Sequence, residues 1–271
     1  MAVNLATKHA GKIDQQFSSS SYTEKYVNKN YDFDGVATVN VYTLTSQVPV
    51  AYNRTATGDR YGGNAEMQDV VTPYTLTKDM AFKIAIDKGN ELQSATARNA
   101  GEALKVQIRE QITPMIDKDR LAAAATTTQS TTATATTGYT SVLASAAFLD
   151  EAKSPIDGRV LAVTPGFYNQ IKGEIVTTMN ADGYNSKLVG KGFVGELDGI
   201  PVVKIPTSYF PTKTVGLMWH RDALLGVKQL TEARVKTDNE LLSGSLLLGR
   251  YIFGSFVLKG KEKAVAKIVV A

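Results

Sequence analysis

Cysteine is absent from all 271 residues, so neither a disulfide nor a thiolate nucleophile is available. Histidine is nearly absent. His9 and His220 stand far apart in sequence, and without thiolates they do not make up the ligand set of a structural zinc site. No G-x-x-x-x-G-K-S/T loop and no G-x-S-x-G elbow occurs, so phosphate cradling and serine-hydrolase chemistry find no support. Long apolar runs are missing as well. The most apolar window, residues 243–258, is broken by Arg250, Gly244, Gly249 and Gly254. It falls short of the roughly 20 residues that a spanning helix needs, so it reads as buried strand. Residues 1–9 hold no apolar core of signal-peptide length, which gives the expectation of a chain without a secretory leader. Without secretion, the glycosylation match Asn53-Arg54-Thr55 carries no meaning.

What remains is ordinary soluble composition, 43% hydrophobic and 21% charged, with enough chain for one large or two modest domains. The net charge of +4 suits proximity to nucleic acid but lacks the dense basic stripe of a sequence reader. Up to Tyr31, Lys8, Lys12, Lys25 and Lys29 outnumber Asp14 and Glu24, a pattern that a solvated polar tail explains equally well.

Candidate chemistry is sparse. Gly190-Lys191-Gly192-Phe193-Val194-Gly195 fits G-x-G-x-x-G, but polar residues precede it and a turn into a strand follows it. A dinucleotide site needs a strand before the motif and a helix after it, so these glycines read as a flexible loop with tight turns. Asp32 with Asp34, and Asp117 with Asp119, are paired carboxylates that lack a neighbouring histidine. Two residues apart on a helix they point in different directions, so Asp117 and Asp119 read as solvated or paired with Lys118 or Arg120. Trp219-His220 reads as core plus strand edge. No catalytic, cofactor-binding or metal-binding residue is assigned, and the chain is expected not to be an enzyme.

The strongest positive signal is the stretch 36–88, which reads as one long β-hairpin with nothing of its own to pack on. In the return arm Leu76, Met80, Phe82, Ile84 and Ile86 share one face, while Thr77, Asp79, Lys83 and Asp87 share the other. The β-branched run 38–45 is expected to pair with that arm. Between them lies a polar, glycine-bearing tip, residues 53–64. Such an arm would reach roughly 30 Å from the body. A two-stranded ribbon is marginal in water, so a neighbouring copy is expected to cover it.

Residues 1–35 read as an extended arm whose Phe17, Tyr22, Tyr26 and Phe33 could dock on a partner. A long helix is expected over 94–125, with Leu104, Ile108, Ile112 and Met115 at helical spacing. Pro114 should kink or divide it near Thr113. The alanine- and threonine-rich run 122–138 reads as a surface loop. Beyond it a helix is expected at 140–153, a buried strand at 160–163, and a helix starting at Thr164-Pro165. Strands are expected at 200–205, 214–219 and 225–235. A closing hairpin, 246–258 with 264–270, is expected around the charged turn 259–263.

This order of parts resembles the major capsid proteins of tailed bacteriophages, the Hong Kong ninety-seven type shared with encapsulins and the herpesvirus shell floor. Residues 82–90 (FKIAIDKGN) resemble the end of that family's extended loop, and 114–121 (PMIDKDRL) the middle of its spine helix. Residues 195–203 (GELDGIPVV) resemble a turn and strand of its axial domain. The resemblance implies an α+β phage major capsid fold: an N-terminal arm at 1–35 and an extended β-hairpin loop at 36–90. It also implies a peripheral domain with spine helix at 91–127 and 236–271, and an axial domain at 128–235. It implies a virion shell subunit, assembled in the host bacterial cytoplasm as hexamers and pentamers around double-stranded DNA, without cofactors or membrane contact. Because the arm is short where some relatives carry a long cleaved prefix, a separate scaffolding protein is expected, together with a portal. Two other readings stay open: an encapsulin-like compartment, and a cytosolic α/β enzyme with an arm-exchanged dimer.

Some relatives cross-link covalently through a loop lysine, but residues 53–68 contain none, only Arg54 and Arg60. Denaturing gels of assembled particles should therefore show a single monomer band; a ladder of covalent oligomers would refute this.

Overall fold

The computed structural model describes residues 20–31, 33, 36–63, 66–89, 100–134, 136–175, 193–237 and 243–270. Three sheets organise them. Strands β1 (Thr38–Leu44) and β2 (Asp69–Thr75) form an antiparallel ribbon, Thr38 opposite Thr75 and Leu44 opposite Asp69. Strand β3 (Lys78–Asp87) joins a second sheet with β9 (Leu224–Lys236) and β10 (Gly244–Val257), in the order β3-β10-β9. The third sheet holds β4 (Ser130–Ala133), β5 (Arg159–Val163), β6 (Phe193–Leu197), β7 (Ile200–Lys204), β8 (Thr214–His220) and β11 (Val265–Val270). Its order is β4-β11-β8-β5-β7-β6.

Two expected pairings are corrected. The outgoing arm 38–45 does not pair with 76–86; it pairs with β2, and β3 pairs instead with β10. Residues 69–87 behave as one long strand that changes partner at Leu76-Thr77, where the Leu76 amide still donates to Ala37 O at 2.8 Å. The alternation of Phe82, Ile84 and Ile86 was legible, but periodicity names a face and not a partner. The closing hairpin does not form either. Strands β10 and β11 are joined by a 3-10 turn, Lys259–Ala264, and enter different sheets.

The six-stranded sheet is buried on both faces, which is why its strands lack alternation. Val160, Leu161, Ala162 and Val163 of β5 are all fully buried. Val160 and Ala162 face a cluster with Leu121, Leu217, Trp219 and Val265. Leu161 and Val163 face α3 (Gly138–Glu151) and α4 (Pro165–Ile175) through Val142, Leu149, Phe167 and Ile171. The threonine-rich run is more than a surface loop. Its β-branched residues supply edge strand β4, and buried Thr127 donates to Val265 O at 2.7 Å.

The long helix is present as α1 (Ala100–Gln107), a π-helical turn (Ile108–Ile112) and α2 (Thr113–Ala124). The break near Pro114 thus takes the form of a widened turn. Thr113 N–H reaches back five residues to Ile108 O, and the extra residue eases the proline ring past the preceding carbonyls. Ile112, Ile116, Tyr251 and Phe253 join this helix to β10. The expected helical residues 94–99 lie outside the described ones, as do Phe17, Asp32 and Asp34.

Residues 20–31 and 33 form a strap across the chain's own body, where the sequence reading had them reaching for a partner. Buried Asp117 accepts from Ser21 Oγ (2.6 Å), the Tyr22 amide (2.9 Å) and Thr23 Oγ1. Trp219 Nε1 donates to Tyr26 O at 2.8 Å. The Asn28 amide donates to Leu224 O at 2.8 Å, and the Gly226 amide to Asn28 O at 3.1 Å. Gly226 is required by this approach: a Cβ there would stand 2.8 Å from Arg120 Nε and 3.1 Å from Val27. Asp117 and Asp119 are therefore buried, not solvated. Asp117 lies 3.8 Å from Arg120, as one of the two readings anticipated, while Asp119 pairs with Lys78.

Glu24 closes the strap, contacting Arg120 at 2.8 Å, Lys228 at 2.8 Å and Lys29 at 2.7 Å. Burial alone would raise its pKa, but hydrogen bonds from Lys228 and Lys29, with the Arg120 guanidinium beside it, lower it from 4.5 to about 2. A folded-state pKa below the unfolded one gives stability that is complete above about 4.5 and lost as pH falls towards 2. Trp219, the only tryptophan, reports on docking through its bond to Tyr26. Its emission should change over that acid window in the wild type and follow a flatter curve in Glu24→Gln. Superimposable curves would contradict the role given to Glu24.

Candidate assembly interface

The ribbon has two ends of opposite character. Its root is held by the body. Tyr74 of β2 is buried, packs on the Phe256 ring at 5.5 Å, and accepts the Lys259 amide on its hydroxyl at 2.8 Å. Phe33, Leu225, Val227 and Leu258 complete that cluster, with Val39, Val41 and Leu76 at its margin. The expectation that the hairpin has nothing of its own to pack on is thus corrected for the root and for β3, which pairs with β10; among the described residues it holds for the tip.

Beyond Thr45, whose amide donates to Gln68 O at 3.1 Å, the ladder ends and the tip is shaped by its own turns. The Asn53 amide donates to Arg60 O at 3.0 Å, Thr55 Oγ1 to Asn53 Oδ1 at 2.9 Å, and Arg60 Nε to Ala56 O at 3.1 Å. Tyr52 and Tyr61 meet edge to face at 5.0 Å. Gly62, at φ +84°, lets the chain pass Val50, whose Cγ2 lies 2.9 Å from where a Cβ would be. The tip is therefore folded, yet it covers no core.

The apolar exposure is concentrated here. Of fifteen large apolar side chains exposed among the described residues, eleven lie between Val36 and Met80. Val48 is 81% exposed, Tyr61 80%, Met67 72% and Tyr42 66%. Exposed apolar side chains gathered on a projecting ribbon mark a contact surface. The sequence carried a cue to it in the β-branched and aromatic content of 38–52, but none to the Phe33–Phe256–Tyr74 root, whose members are far apart in sequence.

The residues weighed for chemistry do not converge on a pocket. Gly190, Lys191 and Gly192 lie outside the described residues, and Gly195 belongs to β6. The second part of that stretch does turn through Asp198-Gly199 into β7. His220 is buried, not an edge residue: its Nδ1 accepts the Asp222 amide at 3.2 Å and its Nε2 lies 2.9 Å from Asp157 O. Among the described residues no group of three or more histidine and acidic side chains could hold a metal ion, and no helix is long and apolar enough to cross a membrane.

No protein-family model and no curated protein sequence matches this chain. Solved structures do. A chain of the capsid structure of cyanophage P-SCSP1u superposes with a TM-score of 0.76 at 15% identity, covering 98% of this chain and 93% of that one. The mature capsid of bacteriophage PhiM1 gives 0.72 at 9% identity, covering 99% and 92%. The capsid of Ralstonia phage GP4 gives 0.66 at 8%, covering 97% and 94%. At such identities the likeness is one of fold, and it spans nearly the whole of both chains. The chain thus has the α+β phage capsid fold that its order of parts implied.

If the tip supports no core of its own chain, Val48→Ser and Tyr61→Ser should each change the stability of the unassembled chain by less than about 0.5 kcal/mol. Chemical denaturation measures this, and a loss of several times that size would show that the tip is packed at home.

Proposed function

We propose that this chain is the structural subunit of a bacteriophage shell: a major capsid protein that assembles with copies of itself into hexamers and pentamers enclosing double-stranded DNA. The single observation that carries the proposal is the pairing of the capsid fold with a projecting ribbon whose apolar residues find no cover among the described residues. A second copy supplies that cover. Wrapping contacts of this kind give the large interfaces of obligate assemblies, roughly 2,000 Å² or more per pair. Closed symmetry then protects the ribbon edges, which would otherwise invite aggregation.

On this reading the role is structural and not catalytic. The spine helix with strand β10 serves as the peripheral domain, within 91–127 and 236–271, and residues 128–235 serve as the axial domain. Strand β11, within 236–271, pairs with β4 and β8 of the axial part. A scaffolding protein and a portal are the further partners of assembly, and the virion is the destination.

Electron microscopy of the purified full chain tests this. Wild-type protein should yield closed shells or capsomer-sized rings, and combining Val48→Ser, Tyr61→Ser and Met67→Ser should cut their yield at least tenfold without unfolding the subunit. Protein confined to monomers or dimers at every concentration would overturn the proposal and favour the arm-exchanged enzyme. Empty-of-nucleic-acid shells holding a second protein would favour the compartment reading.

A further inference from the structure

Strap and ribbon share one small cluster. Phe33, at the strap's end, is 1% exposed and stacks on Phe256 at 6.4 Å; Tyr74 of the ribbon packs on the same ring at 5.5 Å. The remaining floor, Leu225 and Val227, belongs to the part of β9 that the strap itself covers through Asn28. One body side chain ties the two together: Gln229 Nε2 donates to Phe33 O and, at 2.9 Å, to Val36 O, two residues before β1 begins.

Resting on the reading that the ribbon grips a second copy, we infer that the strap is an assembly gate. The ribbon holds its gripping pose only while residues 20–31 and 33 are docked on the same chain. Undocking removes Phe33 from the cluster, opens a void beside Phe256 and Tyr74, and frees the carbonyls that Gln229 holds. What is left is a two-stranded ribbon with half a floor, which is marginal in water.

The strap is suited to open and close. Buried Val27 and Phe33 hold it by packing, and its other anchors are polar: three donors onto Asp117, one indole bond to Tyr26, and ion pairs on Glu24. Each of these polar anchors exchanges for water at modest net cost. The coupling is reciprocal, so a ribbon seated on a neighbour also holds the strap down. Order in the arm and order in the grip therefore rise together, and a chain with an undocked strap is withheld from the growing assembly.

Hydrogen exchange on the unassembled full chain tests the gate separately from shell formation. In Asp117→Asn, strap amides at Tyr26 and Asn28 should lose protection, and β1 and β2 amides should lose it in parallel by at least tenfold. Amides of β5 and β8 should stay protected. Gln229→Ala should leave the strap docked and still accelerate exchange in β1 and β2. A freed strap beside an unchanged ribbon would overturn the gate. Should Asp117→Asn not fold, the decision rests on Gln229→Ala, where unchanged ribbon exchange overturns it. Coupled exchange in a wild-type chain that never forms shells would instead count against the assembly reading.

Discussion

A two-stranded sheet cannot bury both of its faces, and the rest of this molecule is arranged around that constraint. Strands β1 and β2 pair along seven residue positions, yet leave Tyr42, Leu44, Val70 and Val71 exposed. Elsewhere the chain solves the same problem internally. The six-stranded sheet is covered on both faces, and β3 pairs with β10 and packs Phe82 into the cluster under the spine helix. Only the ribbon is left unfinished, and it is held at its root as though the finishing surface lay elsewhere.

The root explains how an unfinished element can still be ordered. Aromatic packing at Phe256 and the Tyr74 hydroxyl fix one end of the ribbon, and the tip's own turns fix the other. Between them the apolar residues are displayed in a defined geometry instead of collapsing. Displaying a surface preformed lowers the ordering cost of association. The strap's polar anchors on Asp117 and Glu24 link the same root to the state of the N-terminal arm.

Much of this was legible in the sequence, but unevenly. The helix residues Leu104 to Met115, the continuous apolar strand 160–163 and the Thr164-Pro165 helix start declared themselves because each depends on local spacing. The partner exchange at Leu76-Thr77 did not, because β2 and β3 have one uninterrupted β-prone character and differ only in which distant strand lies beside them. Asp117 read as solvated or paired with a neighbouring cation, since nothing local announces that Ser21, Tyr22 and Thr23 return across 94 or more residues to cover it. The alanine- and threonine-rich run looked like loop, although its β-branched half makes an edge strand once β11 is alongside. That 38–45 lies in an exposed ribbon was anticipated, but the alternation read in its support, over Leu76–Ile86, belongs to β3, whose partner is β10.

The absence of cysteine makes the central claim directly measurable, since Val48→Cys introduces a unique thiol on the most exposed apolar position of the tip. The account predicts rapid labelling by a water-soluble thiol reagent in the unassembled chain and labelling at least a hundredfold slower in particles. Equal rates in the two states would show that the ribbon stays bare after assembly, and the account would be wrong.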